Sequence, residues 1–577
     1  MPTAGSRRRV HSRTGTPVPA GHAAGQHPGV LRSESGLWGP VMPRAAGVVE
    51  GSASLRWSAG RAALVDGLAA LAAAALYLRL CAAHTPTYLF YWDSAQYGLA
   101  VLHFDPAAHR PQPPGYPLFV LVCRLATWLK GDVTAGVLAA SAFGGLCTVL
   151  LTFLLLRTLL GRWQAVVGGL LVALSPLLWS EGQLPLPYTW ASAGAAASVL
   201  CSLRAASRRT LSAAVGAGLV WGMCTGLRPE LAWLLLPAMV AISFLKTGGL
   251  DMALRGREPA APSRQRGLPR SLLALVVAAA ALGVGAAWVA YCAASSGGWA
   301  IYVSAAEDVV SNVRTLPGRA AVGTLERQQS SFRLGWLLAF GLAWPLAGAA
   351  LLSSRRRQVL VTALPWTLVP AAFYGLAYCG RRGYLCVLVP PMVLLMVAGV
   401  DGLTRRLSGR TRALAVCCLT LVAARLLVTY AHLNECARET ERAVAHELAA
   451  ARSLDPPTTL LLVWGEYRVF SFHLPAHRVW WLAGLTARDR PPLRGRVFGS
   501  HLRRDTFGGR WIPMPASASS VRLPSGIRRL VAFDSQYART LRGATMTPAV
   551  IQGVPVWTLD VGTARRLWVR LGAWGLK

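Results

Sequence analysis

Long apolar stretches alternate along this chain with short arginine clusters, and acidic residues fall in only some of the gaps. The first stretch runs from about Ala62 to Ala83, the length a helix needs to cross about 30 Å of hydrocarbon. Others centre near residues 145, 172, 197, 218, 238, 282, 342, 369, 393 and 421, making eleven candidate spans. A further apolar piece, Tyr116 to Leu129, is short and Pro-bordered. It predicts a helix lying at the outer surface or re-entering the membrane. The gaps holding Arg157 and Arg162, Arg204 to Arg209, Lys246 to Arg270, Arg355 to Arg357, and Arg405 to Arg412 are basic and nearly free of acids. Every second gap is of this kind, so the positive-inside rule places them in the cytoplasm. The alternate gaps hold Asp93, Glu181, Glu230, Glu307 and Asp308 and are expected outside. The N-terminus is then cytoplasmic, and eleven spans put the C-terminus outside.

The texture changes at both ends. Residues 1–55 are rich in Gly, Pro, Ser and Arg with no apolar period, as in a disordered basic cytoplasmic tail. After about residue 432, Asn434 to Arg452 has helical character. Thr459 to Trp464 reads as a buried strand, and Arg478 to Leu482, Leu530 to Phe533 and Pro555 to Leu559 read as further strands. Pro and Gly clusters separate them. The expected fold is an α-helical polytopic membrane domain over residues 56–431, followed by a small extracytoplasmic α/β domain over 432–577.

Composition sharpens this. Of the 577 residues 54% are hydrophobic and 14% charged, with a mean hydropathy of +0.41. Soluble domains carry roughly 25% charge, and a soluble core would not bury so much continuous apolar sequence. The net charge of +35 would suggest nucleic acid in a soluble protein. Here the arginines flank apolar spans, where topology and anionic lipid headgroups account for them, so nucleic acid is excluded as a partner and membrane lipids are included. The eleven cysteines show neither metal spacing nor a disulfide framework; most lie in apolar spans, where a thiol acts as a small hydrophobe.

The segment after the first span concentrates the chemistry: Tyr91-Trp92-Asp93-Ser94-Ala95-Gln96-Tyr97, then His103-Phe104-Asp105, then Arg110-Pro111-Gln112-Pro113-Pro114-Gly115-Tyr116-Pro117. A carboxylate among aromatics at the membrane boundary loses solvation and gains basicity, as a general base for sugar transfer requires. An Asp before Ser-Ala-Gln-Tyr is also a good helix N-cap, and the spacing alone weighs the two readings evenly.

The Trp-Asp-Ser segment, followed by His109-Arg110-Pro111-Gln112-Pro113-Pro114-Gly115-Tyr116-Pro117, resembles the first outer loop of the GT-C superfamily of membrane glycosyltransferases. The closest similarity is to the bacterial protein O-mannosyltransferase-like group. Trp179-Ser180-Glu181 with Tyr188, Gly226-Leu227-Arg228-Pro229-Glu230, Ser296-Gly297-Gly298 with Tyr302, Gly380-Arg381-Arg382-Gly383-Tyr384 before Pro390-Pro391, and Tyr467-Arg468 with Leu474-Pro475 continue it in order. The likeness spans about residues 62 to 480. It implies a polyprenyl-phosphate sugar as donor, with Asp93 as the base that deprotonates an acceptor hydroxyl while the anomeric configuration inverts. A lipid-phosphate leaving group needs charge stabilisation, which arginine supplies bidentately; Arg381, Arg382 and Arg228 are the candidates. Each has a structural alternative, headgroup snorkelling for Arg381 and Arg382 and pairing with Glu230 for Arg228. Tyr91, Trp92, Gln96, His109, Arg110, Tyr116, Glu181 and Tyr384 are the candidates for substrate contact. Structural pairing is the simpler reading of Glu181, a surface turn of His109 and Arg110, and an interface belt of the aromatics.

Asp93 is followed by Ser94 where many GT-C enzymes carry a second acid, so no metal site and no cofactor beyond the lipid-linked sugar is expected. The acceptor is a protein, lipid or glycan. The Ala-, Arg- and Gly-heavy composition points to a high-G+C bacterium and its plasma membrane. A lipid transporter or flippase, a polysaccharide polymerase and a non-catalytic scaffold are the rival readings; acids at outer span ends, and no visible internal repeat, disfavour the transporter.

Overall fold

The computed structural model describes residues 50–82, 85–245, 267–315, 343–377, 381–406, 438–463, 467–483, 496–499, 519–523, 525–533, 546–562, 566–570 and 573–576. The expected span near 421, the boundary at 431/432, and the expected tail as far as residue 49 lie outside the described residues. The chain divides into two units, Met1–Ser58 and Ala59–Lys577, and the candidate site lies wholly within the second.

The helices in chain order are α1 (Glu50–Ala82), α2 (Trp92–Leu102), α3 (Pro117–Lys130), α4 (Val133–Leu159), α5 (Arg162–Ala173), α6 (Pro176–Gly182), α7 (Tyr188–Arg208), α8 (Leu211–Leu227), α9 (Leu231–Leu234), α10 (Leu236–Ser243), α11 (Arg270–Ser295), α12 (Trp299–Thr315), α13 (Ala343–Gly348), α14 (Arg356–Ala372) and α15 (Val389–Arg406). Four described stretches are long and apolar enough to cross a membrane: Ala63–Ala82, Val133–Leu159, Arg270–Ser295 and Arg382–Arg405. α5 and α6 make a fifth if taken together, bent by 53° where Pro176 enters without an N–H to continue the ladder. α8 and the α9–α10 stretch are apolar but shorter. α7 occupies the place of the expected span near 197, but it is built largely from Ala and Ser. α14, near 369, contains Pro365 and Pro370. α3 takes the short apolar piece and packs against α4.

Close helix contact comes from small residues. Gly218 and Gly222, one turn apart on α8, face the α11 backbone. A Cβ on Gly218 would collide with the Val277 carbonyl oxygen, and one on Gly222 would sit 2.6 Å from the Val284 side chain. This Gly-x-x-x-Gly spacing lets two helices approach where lipid supplies no hydrophobic drive.

The polar gaps sort to common places. Asp66 near the start of the first span pairs with Arg157 at 2.9 Å and Arg162 at 2.5 Å. Gln164 donates to Asp401 (2.8 Å), Arg405 pairs with Asp401 (3.1 Å), and Arg355 donates to the Leu159 carbonyl (2.7 Å). The loops read as basic and cytoplasmic at 157–162, 355–357 and 405 are therefore neighbours in space.

The C-terminal region opens with helix α16 (438–452), followed by β1 (Thr459–Leu462), helix α17 (Tyr467–His473), β2 (Arg478–Ala483), β3 (Arg496–Gly499), β4 (Ser519–Arg522), β5 (Arg529–Ala532), β6 (Thr547–Ile551), β7 (Val554–Asp560), β8 (Arg566–Arg570) and β9 (Ala573–Leu576). Six strands form one sheet in the order β3-β2-β1-β5-β7-β6, and β4-β8-β9 form another. β1 is parallel to both β2 and β5 and buried along its whole length, which explains its unbroken Leu run. This region clasps the segment entering α2. Glu441 of α16 accepts from the Thr87 and Tyr88 N–H groups and the Thr87 hydroxyl (2.5, 3.2 and 2.7 Å), and the His473 Nε2 accepts from the Leu89 N–H (3.1 Å).

Candidate active site

Asp93 lies in the first turn of α2, whose N-cap position belongs to Tyr91, and no side-chain capping bond is made there. The N-cap alternative for Asp93 is thus set aside, and its carboxylate is committed elsewhere. Its Oδ2 lies 3.4 Å from Arg381 Nη1, and the same guanidinium sits 5.1 Å over the Tyr91 ring. An opposite charge has joined the aromatic surroundings read from the sequence. Arg381 immediately precedes a tight helical turn, Arg382–Leu388, that feeds α15. That turn also aims Arg382 inward, where its Nε donates to Glu181 Oε1 at 2.9 Å. Neither arginine snorkels away from the protein. Glu181 is buried at 2% exposure, and its pairing follows the simpler reading of that residue. Gly383 lies between them, and a Cβ there would run into the Tyr188 ring.

Arg228 forms the other half of the site. It is 5% exposed, caps the end of α8, and its Nε donates to Glu230 Oε1 at 2.7 Å; a second, very short contact joins its Nη2 to the same oxygen. The pairing with Glu230 weighed from the sequence is therefore present. The Tyr374 hydroxyl donates to that carboxylate too, at 3.2 Å. The Arg228 guanidinium is surrounded by rings, 4.5 Å from Tyr384, 5.1 Å from Tyr188 and 5.8 Å from Tyr116. Tyr374 and Tyr384 stack at 5.2 Å, and Tyr188 meets Tyr384 edge-on. Such cation–π contacts strengthen where water is excluded.

The remaining candidates divide. Gln96 is buried, and its Oε1 accepts from the Gln112 N–H at 3.0 Å, so it ties α2 to the proline-rich loop. Tyr116 is in the left-handed region at φ 47 and packs near Tyr97 at 5.9 Å. His109 also takes a left-handed conformation, in a turn closed by the backbone pairing of Asp105 with Arg110. That turn was foreseen, but its side chains point inward. His109 Nε2 and Arg110 Nε are both buried without a partner. Burial, with the Arg468 charge beside it, pushes His109 down to about 3. Arg468, brought in by α17, stacks 5.9 Å from Trp92 and 5.2 Å from Tyr467.

Glu230, Tyr188 and Arg468 stand in the sequence motifs without a site role assigned to them, and Tyr374 stands outside every motif. Tyr374 stands in an apolar run, Phe373-Tyr374-Gly375, with no polar neighbour to mark it. Its signal is only the cost of burying a hydroxyl without a partner. Among the described residues no three His, Cys, Asp or Glu side chains converge as a metal-holding group.

Residues 110–253 match the family described as dolichyl-phosphate-mannose-protein mannosyltransferase. The match runs from the proline-rich loop past the Gly-Leu-Arg-Pro-Glu turn, and over those residues it bears out the resemblance to GT-C membrane glycosyltransferases. No curated protein matches the chain. Among solved structures, an oligosaccharyltransferase from Archaeoglobus fulgidus in its apo form is similar at 13% identity and a TM-score of 0.42, covering 71% of this chain and 64% of that protein. ArnT from Cupriavidus metallidurans bound to undecaprenyl phosphate is similar at 13% identity and a TM-score of 0.48, covering 87% and 98%. The archaeal oligosaccharyltransferase AglB from Archaeoglobus fulgidus, in complex with an inhibitory peptide and a dolichol-phosphate, is similar at 10% identity and a TM-score of 0.40, covering 88% and 76%.

Proposed function

We propose that this protein is an integral membrane glycosyltransferase that moves a sugar from a polyprenyl phosphate to an acceptor hydroxyl at the outer face of the membrane. The family description over residues 110–253 supports a lipid-phosphate sugar as donor. The observation that carries the chemistry is the Asp93–Arg381 pair. A carboxylate from the first outer loop and a guanidinium nearly three hundred residues later meet among aromatic rings, each only partly shielded, with side-chain exposures of 22% and 39%. Arg381 turns from Asp93 to the phosphate oxygens as the donor arrives, so donor binding itself frees the base. Asp93 takes the acceptor hydroxyl proton while the oxygen attacks the anomeric carbon. The bond from that carbon to the phosphate oxygen breaks, the configuration inverts, and the lipid phosphate leaves with both bonding electrons. Positive charge from Arg381, with the ring-bound Arg228 behind it, offsets the growing negative charge, and no divalent metal is assigned a part. Arg382 is tied to Glu181 and positions the turn. Tyr91, Trp92 and Tyr384 supply ring faces for the sugar.

The test uses host membranes containing wild type or Asp93→Asn, supplied with a panel of radiolabelled polyprenyl-phosphate sugars. One sugar is expected to leave the lipid with wild type, at least about a hundredfold faster than with the variant at equal abundance. Equal rates would remove Asp93 from the mechanism. No donor consumed, in membranes where a known transferase works, would move the flippase reading to the front.

A further inference from the structure

The three arginines that the sequence nominates for an anion are all engaged: Arg381 with Asp93, Arg382 with Glu181, Arg228 with Glu230. Arg110 and Arg468 are neighbours that make no ion pair with an acid among the described residues, and in each the Nε is buried without a partner. Arg468 is 6% exposed. Among the described residues its hydrogen bond is a long one, 3.4 Å from Nη2 to the Ala108 carbonyl, and its Nε is buried without a partner. Arg110 Nε and His109 Nε2 are likewise buried and unpartnered. Burial and the Arg110 charge both push Arg468 downward, so the fold holds a buried charge beside a like, half-buried one. Charges so placed are paired or serve a ligand.

We propose that Arg468, Arg110 and His109 form an oxyanion subsite beside Asp93, at which the C-terminal region contributes directly to substrate binding. The ligand is a phosphate-type group, since two guanidiniums offer forked donors and a neutral imidazole adds one more N–H. Arg468 stands 5.9 Å from the ring of Trp92, the residue before Asp93, so the subsite adjoins the first turn of α2 that carries the proposed base. Only the source of the anion, donor lipid or acceptor, rests on the glycosyltransferase reading.

The experiment measures binding and needs no turnover, which separates its failure from failure of that reading. Full-length protein in neutral detergent is titrated with polyprenyl phosphate, with inorganic phosphate, and with polyprenol as uncharged control, following thermal stabilisation. The variants are Arg468→Gln, Arg110→Gln and Arg468→Lys. Phosphate-dependent stabilisation is expected to need at least tenfold more ligand in both Gln variants, and less than that in Arg468→Lys. Loss for both phosphate probes assigns the subsite to the lipid donor. Loss for inorganic phosphate alone assigns it to an anionic acceptor. Wild-type affinity for both probes in folded Arg110→Gln and Arg468→Gln overturns the proposal and leaves Arg468 a strut between α17 and the outer loop. If Arg468→Gln does not fold, Arg110→Gln and Arg468→Lys decide alone, and unchanged binding in both overturns the proposal equally.

Discussion

Arg381 and Arg382 show how neighbouring residues of like type take different work. Arg382 faces a glutamate whose side chain is 3% exposed, so Arg382→Gln leaves a buried carboxylate without its partner. We expect a loss of about 3–5 kcal/mol, read as a lower unfolding temperature in detergent, much of it recovered in Glu181→Gln/Arg382→Gln. A single variant as stable as wild type would refute that pairing. Arg381 is more exposed and holds the carboxylate proposed as the base, so Arg381→Gln is expected to fold normally and to lose sugar transfer. Much of this site was legible in the sequence. Asp93, Arg381 and Tyr91 were all singled out, because unusual residues at span ends announce themselves. Which carboxylate each arginine would meet was not legible, since Glu181 and Arg382 lie about two hundred positions apart and only the packing of α6 against the turn before α15 joins them. The burial of Arg468 was hidden for the same reason.

At the scale of elements, apolar length predicted helices well because a helix satisfies its own backbone wherever it is placed. It predicted spans less well. The stretch near 172 is broken at Pro176 and bent by 53°, and α7 is too rich in small residues to read as a simple lipid-facing helix. The small residues mark contact instead. Gly222→Leu is expected to wedge α8 from α11 and to cost at least about 1–3 kcal/mol, whereas Gly216→Leu, which meets nothing within 4 Å, should be nearly neutral. Equal effects would refute the close packing. The clasp between α17 and the segment before α2 carries a pH dependence. Burial, with Arg452 nearby, pushes His473 down to about 4, and its Nε2 must stay unprotonated to accept from Leu89. A histidine lowered in the folded state stabilises above its unfolded value of about 6.5, and this contribution fades as pH falls from there toward about 4. Unfolding temperature should drop over that window in wild type and drop less steeply in His473→Gln, even if the variant is less stable throughout. Identical slopes would exclude His473 as the titrating group.

For the whole molecule, the separation of charges has a consequence that needs no substrate. Asp66, Arg157, Arg162, Arg355 and Asp401 are linked by ion pairs and hydrogen bonds into one neighbourhood. Asp93, Glu181, Arg228 and Arg381 gather into another around Tyr188, whose hydroxyl lies within the reach of all four charges. In a chain carrying +35, the positive-inside rule assigns the first neighbourhood to the cytoplasm, and the proposed transfer then takes place outside. On that assignment, the clasp of Glu441 and His473 on residues 87–89 puts α16 and α17 outside as well. Single cysteines on a cysteine-free background test the arrangement, at His103 after α2 and at Arg208 at the end of α7, both exposed. A membrane-impermeant thiol reagent applied to intact cells should label His103→Cys, and should reach Arg208→Cys only after lysis. The reverse pattern would turn the molecule over and place the candidate site, with its donor, on the cytoplasmic face. Labelling of both in intact cells would mean that α7 and the helices before it do not carry the chain between the two sides as the alternation of basic and acidic gaps requires.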